Sequence, residues 1–328
     1  MFPPPDRRPD ARPEPTRRRA APASQTAAVT MRLLLLSPHP DDIAWSLGGT
    51  VARLGAAGAD LRVLTFFGRS RYAPGHPAHG EAETTRVRAL EEETWARAAG
   101  VRLRRGDLPD ASLRGYDDDT EMGAIPEDAV IGRAAAMLRR AVDEIRPDVV
   151  LAPLAVGGHV DHAAVRAAVT RIGLGDQARR GPTAHRRADL PAGGEPLHRV
   201  PVAVGGGGAA LAASPSVGVV GETGPVRVRD TGDPPVDTRG LGQAGEPALF
   251  WYEDLPYAAR GGPRPPGLPL VIDVEEVWSA KERGVRCFPS QEPDTVLPVL
   301  RGHADAVSGE RVWAPGQAAA DRLRRLVG

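Results

Sequence analysis

Apolar residues along this chain fall into short blocks separated by stretches of helical character. Leu33-Leu34-Leu35-Leu36 is an unbroken apolar run just after Met31, and it predicts a strand over 31–37. A strand wetted on one face alternates apolar and polar positions, so an unbroken run implies burial on both faces. LRVLTFF, Leu61 to Phe67, predicts a second strand, and Val101 to Arg105 a short third. Val149 to Ala152, Ala248 to Tyr252 and Leu270 to Val274 predict three more. Between them lie segments of helical pattern. Leu47 to Leu54 is one, Glu81 to Ala99 another, stopped by Gly100 as helices often are. Over Pro126 to Ile145 the residues Ile131, Ala134, Ala135, Leu138, Val142 and Ile145 recur at helical spacing. A last helix is expected near Gln317 to Leu326. Strands alternating with helices predict an α/β fold, a Rossmann-like parallel sheet flanked by helices.

Two regions break the pattern. Residues 1–30 are rich in Arg and Pro, have no apolar h-region of a secretory signal, and are expected to form a disordered arm. Equally, Met31 could be the true start, since it opens the first strand. From about 179 to 246 Gly, Pro and Ala dominate, with no Phe, Trp or Tyr. That composition cannot bury enough apolar area to offset the ordering entropy, and predicts a disordered insertion within a domain spanning 31–328.

Composition narrows the function classes. Formal net charge is zero, which gives no general attraction to nucleic acid or anionic membrane. No stretch is apolar enough to span a bilayer. Cys287 is the single cysteine, so an intramolecular disulfide and a cysteine-based zinc site are excluded, and a reducing, cytoplasmic setting is expected. Lys281 is the single lysine among 42 basic residues, so arginine runs carry little information here.

The chemistry concentrates where the first strand ends. SPHPDD, Ser37 to Asp42, puts an imidazole and two carboxylates into four positions, and unpaired carboxylates are costly to bury. His39 and Asp42 are three apart after a strand, so a turn can aim both at one point. A catalytic zinc site uses three protein ligands and an open position. The third must come from elsewhere, and the best source is GGHVDHAAV, Gly157 to Val165, a few residues past the Val149–Ala152 strand. Doubly wound sheets bind ligands beyond the carboxyl ends of their strands, where both clusters fall. Read blandly, HPDD is a solvated turn, and His159 and His162 belong to a helix N-terminus with Asp161 favouring its dipole.

HPDD followed by Gly-Gly, the later HxDH, Arg88-x-x-Glu91, DLPDASLRGY from Asp107 and WYEDLPYA from Trp251 resemble, in this order, the LmbE/PIG-L family of metal-dependent N-deacetylases. The resemblance covers 31–170 and resumes near 248. It implies one divalent ion, zinc, held by His39, Asp42 and His162. It implies Asp41 as general base and His159 as the group that polarises the carbonyl or protonates the amine. Asp161 would orient a histidine. The implied reaction removes an acetyl or similar acyl group from an N-acylated amino sugar or sugar conjugate. Rivals are an amidase or esterase acting on a non-sugar substrate, and a non-catalytic binding protein with a degraded site. Ile43, where the family commonly has Glu, supports the last; Gly157 stands where some relatives have Tyr. Arg69 is a candidate to grip a substrate hydroxyl or phosphate, and Asp110 to bond sugar hydroxyls; loop roles are the alternatives. Trp251, Tyr252 and Tyr257 are expected to pack the core, His76 and His79 to sit on the surface, and Cys287 to be a small buried apolar group.

Overall fold

The structure is a computed structural model that describes residues 30–77, 80–117, 120–174, 247–262, 265 and 267–328. Apart from residue 30, the expected N-terminal arm lies outside the described residues. So do the expected insertion from 179 to 246 and His79.

Among the described residues seven strands form one sheet: β1 (Arg32–Ser37), β2 (Asp60–Thr65), β3 (Arg102–Arg105), β4 (Val149–Pro153), β5 (Ala248–Tyr252), β6 (Leu268–Ile272) and β7 (Glu310–Ala314). Their order is β3-β2-β1-β4-β5-β7-β6. The first five are parallel, with Leu33 opposite Leu61 on one side and opposite Val149 on the other. β7 runs antiparallel to both β5 and β6, so the expected parallel sheet is mixed at one end.

Among the described residues seven α-helices cover the faces: α1 (Asp42–Ala56), α2 (Glu81–Ala99), α3 (Asp128–Ile145), α4 (Val160–Arg171), α5 (Trp278–Val285), α6 (Pro293–Val307) and α7 (Gln317–Val327). The leucine run of β1 explains itself here. Leu33 and Leu35 join one core with Leu47 and Val51 of α1, Trp95 of α2 and Leu323 of α7. Leu34 and Leu36 join the opposite core with Leu138 of α3 and Val165 of α4. Successive side chains alternate across a strand, so a strand covered on both faces needs four apolar residues in a row.

Helix α1 starts at Asp42, five residues before the expected Leu47. Its apolar pattern is interrupted because the helix itself breaks, with Leu47 at φ −129° and ψ 16°. Just after the break, the buried carboxylate of Glu310 on β7 accepts from Gly49 N (2.9 Å), Thr50 N (2.7 Å) and the Thr50 hydroxyl (2.6 Å). A side-chain acceptor thus takes donors that the broken helix leaves over. Gly49 is required by space, since a Cβ there would stand 2.5 Å from Val274 Cγ1. The charge on Glu310 is met by buried Lys281 Nζ at 2.6 Å, which gives the single lysine a structural role. Cys287 is half-buried at the edge of the first core.

Glu310→Ala removes the cap and strands the Lys281 ammonium in the interior. The expected destabilisation is about 3–5 kcal/mol, read from the shift in a denaturant-unfolding midpoint at unchanged slope. A loss well under 1 kcal/mol would show that the break in α1 stands without the carboxylate.

Candidate metal centre

The chain runs β1 to β2 to β3 on one side of β1, then returns to place β4 and β5 on the other. The sheet order therefore switches between β1 and β4. A crevice opens beyond the strand ends at such a point, because the connections leave in opposite directions. His39, Asp41 and Asp42 follow β1, the second histidine cluster follows β4, and Asp254 and Tyr257 follow β5. Gly157 (φ +89°) and Gly158 (φ +82°) turn the chain after β4 into α4. His159 caps that helix, its Nδ1 accepting from Asp161 N at 3.1 Å. The cluster is thus a helix N-terminus, as the bland reading expects.

His39, Asp42 and His162 converge, each offering one ligand atom within 4.8 Å of the others. Asp42 Oδ2 lies 3.4 Å from His39 Nδ1 and 3.4 Å from His162 Nε2. Each imidazole is held from behind by a carboxylate. His39 Nε2 lies 2.9 Å from Asp161 Oδ2, and His162 Nδ1 lies 2.6 Å from Asp254 Oδ1. An ionised carboxylate only accepts, so each of these nitrogens carries the proton, and in the neutral ring the other nitrogen presents a lone pair inward. Asp161 is fixed in turn by Ala111 N (2.9 Å) and Arg114 Nη1 (2.7 Å), and Asp254 by Val156 N (3.3 Å).

This arrangement suits a cation. His162 Nε2 is buried and makes no hydrogen bond among the described residues, although Asp42 faces it. Asp41, Asp42, Asp110, Asp161 and Asp254 are all buried around the site, against the guanidinium groups of Arg88 and Arg114. The excess negative charge shows in the acid–base behaviour. Burial disfavours charge on His39, yet Asp161 and Asp42 outweigh it and raise its pKa well above the usual value. Burial likewise opposes charge on His162, and Asp42 and Asp254 raise it regardless. Burial would raise Asp161, but His39 and Arg114 hold it at about 2. Two imidazoles and a carboxylate are a donor set that zinc accepts. A second set, His39, His159 and Asp161, is also compact, but His159 Nδ1 and both Asp161 oxygens already have partners.

Asp41 sits beside the cluster and does not belong to it. Arg88 Nη2 approaches both its oxygens at 3.4 Å, and burial raises its pKa although Arg88 opposes. His159 Nε2 lies 3.4 Å from Glu121 Oε2, and burial lowers its pKa, which favours the neutral ring. These groups line a cavity of about 750 Å³ together with Asp110, Trp45, Tyr72 and Tyr257. Arg69 is not brought there; it is exposed and pairs with Glu81 at 2.7 Å. Arg88, buried on α2, occupies the cavity wall instead. Ile43 faces the first core, away from this chemistry. Tyr252 packs as expected, its hydroxyl donating to Leu36 O at 2.8 Å. Tyr257 departs from the packing expectation, its ring standing 5.4 Å from His162 and 5.8 Å from His159. Asp254 and Tyr257 carried a signal in WYEDLPYA, but as a motif only; nothing in its spacing shows that its aspartate reaches a histidine 92 residues earlier.

Fold and site together define a Rossmann-like α/β protein with a His-Asp-His cluster at the switch point of its sheet. Residues 34–172 match the PIG-L family, GlcNAc-PI de-N-acetylase. The chain is 41% identical over 169 residues to 2'-N-acetylparomamine deacetylase of Streptomyces fradiae, covering 50% of this chain and 58% of that protein. It is 32% identical over 155 residues to 1D-myo-inositol 2-acetamido-2-deoxy-alpha-D-glucopyranoside deacetylase of Rhodococcus opacus (strain B4), covering 42% and 52%. The chain thus spans little more than half the length of these relatives. A deacetylase from the teicoplanin biosynthesis pathway superposes with a TM-score of 0.56 at 20% identity, over 87% of this chain and 97% of that one. A zinc-inhibited form of teicoplanin deacetylase gives 0.55 at 19%, over 87% and 97%. At such identities the likeness is one of fold. No helix among the described residues is long and apolar enough to cross a membrane.

Asp254→Asn keeps the shape but gives His162 Nδ1 a neutral partner. Zinc affinity is expected to fall about 10–100-fold, measured by competition with a chromogenic chelator. Unchanged affinity would show that Asp254 does not set this imidazole.

Proposed function

We propose that the chain is a zinc-dependent hydrolase that removes an acetyl group from an N-acetylated amino sugar or sugar conjugate. The observation that carries this is the convergence of His39, Asp42 and His162 with a second carboxylate, Asp41, beside them but outside the cluster, facing Arg88. A bound zinc ion would bring a water toward neutral pKa and polarise an amide carbonyl. His39, Asp42 and His162 would hold it, with Asp161 and Asp254 fixing the two rings.

The chain's other groups then have separable duties. Asp41 accepts the proton of the attacking water, and its raised pKa brings it closer to the range of a useful base. Arg88 aims the carboxylate without binding it tightly. His159 is a neutral donor: Nδ1 accepts from Asp161 N, so the proton is on Nε2, which faces Glu121 Oε2 at 3.4 Å and would turn from it to the substrate carbonyl oxygen. The nitrogen of the departing amine needs a proton, and Asp41 returns the one it took. Asp110, Arg88 and Trp45 line the cavity; the first two would bond hydroxyls on the sugar ring and Trp45 would offer it an apolar face. Asp117, Glu121 and Glu292 add negative charge to the cavity lining, which suits a substrate carrying free amines, such as the 2'-N-acetylparomamine of one relative.

Acetate release from 2'-N-acetylparomamine, compared with simple acetate esters, tests the reaction. The amide is expected to be the preferred substrate, and ester-only turnover would favour the esterase reading. Asp41→Asn is expected to retain zinc and lose about 10²–10⁴-fold in kcat, whereas His162→Ala is expected to lose both zinc and activity. Near-parent kcat in Asp41→Asn would remove Asp41 as the base.

A further inference from the structure

Tyr257 opens the 3-10 turn Tyr257–Arg260 after β5, and two constraints fix where its ring goes. The first is Asp254, three residues earlier. Its side chain holds His162 and accepts from Val156 N, and its carbonyl accepts from Ala258 N at 2.8 Å. The turn is therefore tied to a histidine of the metal cluster. The second is Gly157. A Cβ at that position would lie 2.6 Å from Tyr257 Cβ, so the ring fills the space a side chain at 157 would need. The positive φ of Gly157 and the position of Tyr257 are parts of one arrangement.

The ring stands edge-on to His162, at 83°, and tilted against His159. It lines the same cavity as Asp41, Asp42 and Asp110. Among the described residues nothing hydrogen-bonds its hydroxyl, whereas the Tyr252 hydroxyl five residues earlier is taken by Leu36 O. A ring that only packed against two imidazoles would need no hydroxyl. A phenol O–H beside the cluster, unclaimed by protein, can donate to an acyl oxygen.

Resting on the amide hydrolysis proposed above, we infer that Tyr257 is a further catalytic residue, donating a hydrogen bond to the amide oxygen as it becomes an oxyanion. No proton leaves the phenol. Water adds to the carbonyl carbon, the C=O π pair moves onto oxygen, and the O–H···O bond strengthens as that charge develops. When the C–N bond breaks, the pair returns and the bond weakens. His159 and Tyr257 then share the oxygen as two neutral donors, a protein-built counterpart to positive charge.

Tyr257→Phe in the zinc-loaded full chain tests this, with 2'-N-acetylparomamine as substrate and a methylphosphonamidate analogue of its acetamide as the tetrahedral mimic. Expected are a fall in kcat of roughly 10²–10³-fold, a matching loss of affinity for the mimic, and unchanged KM and zinc content. Parent-like kcat and mimic affinity would overturn the inference and leave the ring a packing role. A parallel loss of zinc would also overturn it, since the ring would then act through His162. If the parent chain releases no acetate, the reading of the site falls, and this inference with it.

Discussion

Everything around the switch point answers one electrostatic demand: several carboxylates must be accommodated close together and away from water. Five buried aspartates surround the cluster with two guanidinium groups between them. Such a group is tolerated only when each charge has partners. The fold supplies them from every side. Helix α2 brings Arg88, the loop after β3 brings Arg114 and Ala111 N, and the turn after β4 brings Val156 N. What those partners leave uncompensated is negative charge at the two inward imidazoles, which is where a cation gains most.

The demand also sorts the aspartates by duty. Asp161 and Asp254 face backbone N–H groups and imidazoles, and so are locked. Asp42 is held by His39 N at 2.6 Å and points between the rings. Asp41, one residue earlier, has only the long contacts to Arg88 and opens on the cavity. Adjacent residues at the mouth of a helix diverge, and so one sequence pair gives a fixed group and a free one.

Much of this was legible in the sequence because local pattern encodes it. The four-leucine run told of a strand buried twice over, and SPHPDD told of a cluster at its end. That the two clusters lie at one end of the sheet followed from where parallel strands put their carboxyl ends, while the pairing of Asp42 with His162 was implied by the family resemblance. Other parts were illegible for physical reasons. The antiparallel β7 and its neighbours α5 and α6 have no strong periodic signal, and strand direction at a sheet edge depends on distant packing. Helix α1 was expected short because its break at Leu47 hides in the Gly48-Gly49 pair and needs a carboxylate 260 residues away to be understood. Arg69 and Arg88 look alike as arginines after the second strand, and only the fold shows one paired at the surface and the other buried under Asp41. Ile43 marked a departure in a motif, yet its side chain lies on the core side of the helix, so an apolar residue there leaves the cavity intact.

The cap that Glu310 places on α1 ties the order of synthesis to the order of assembly. The helix that begins at Asp42 leaves a ribosome well before the strand that closes its break, since Glu310 lies 260 residues beyond Thr50. Closing a loop of that length costs entropy that only the finished contact repays. Until residue 310 is available, the donors of Gly49 and Thr50 lack the carboxylate that takes them in the finished fold. Asp254, which holds the His162 ring, also lies far beyond both motifs, so SPHPDD and GGHVDH do not by themselves complete the cluster.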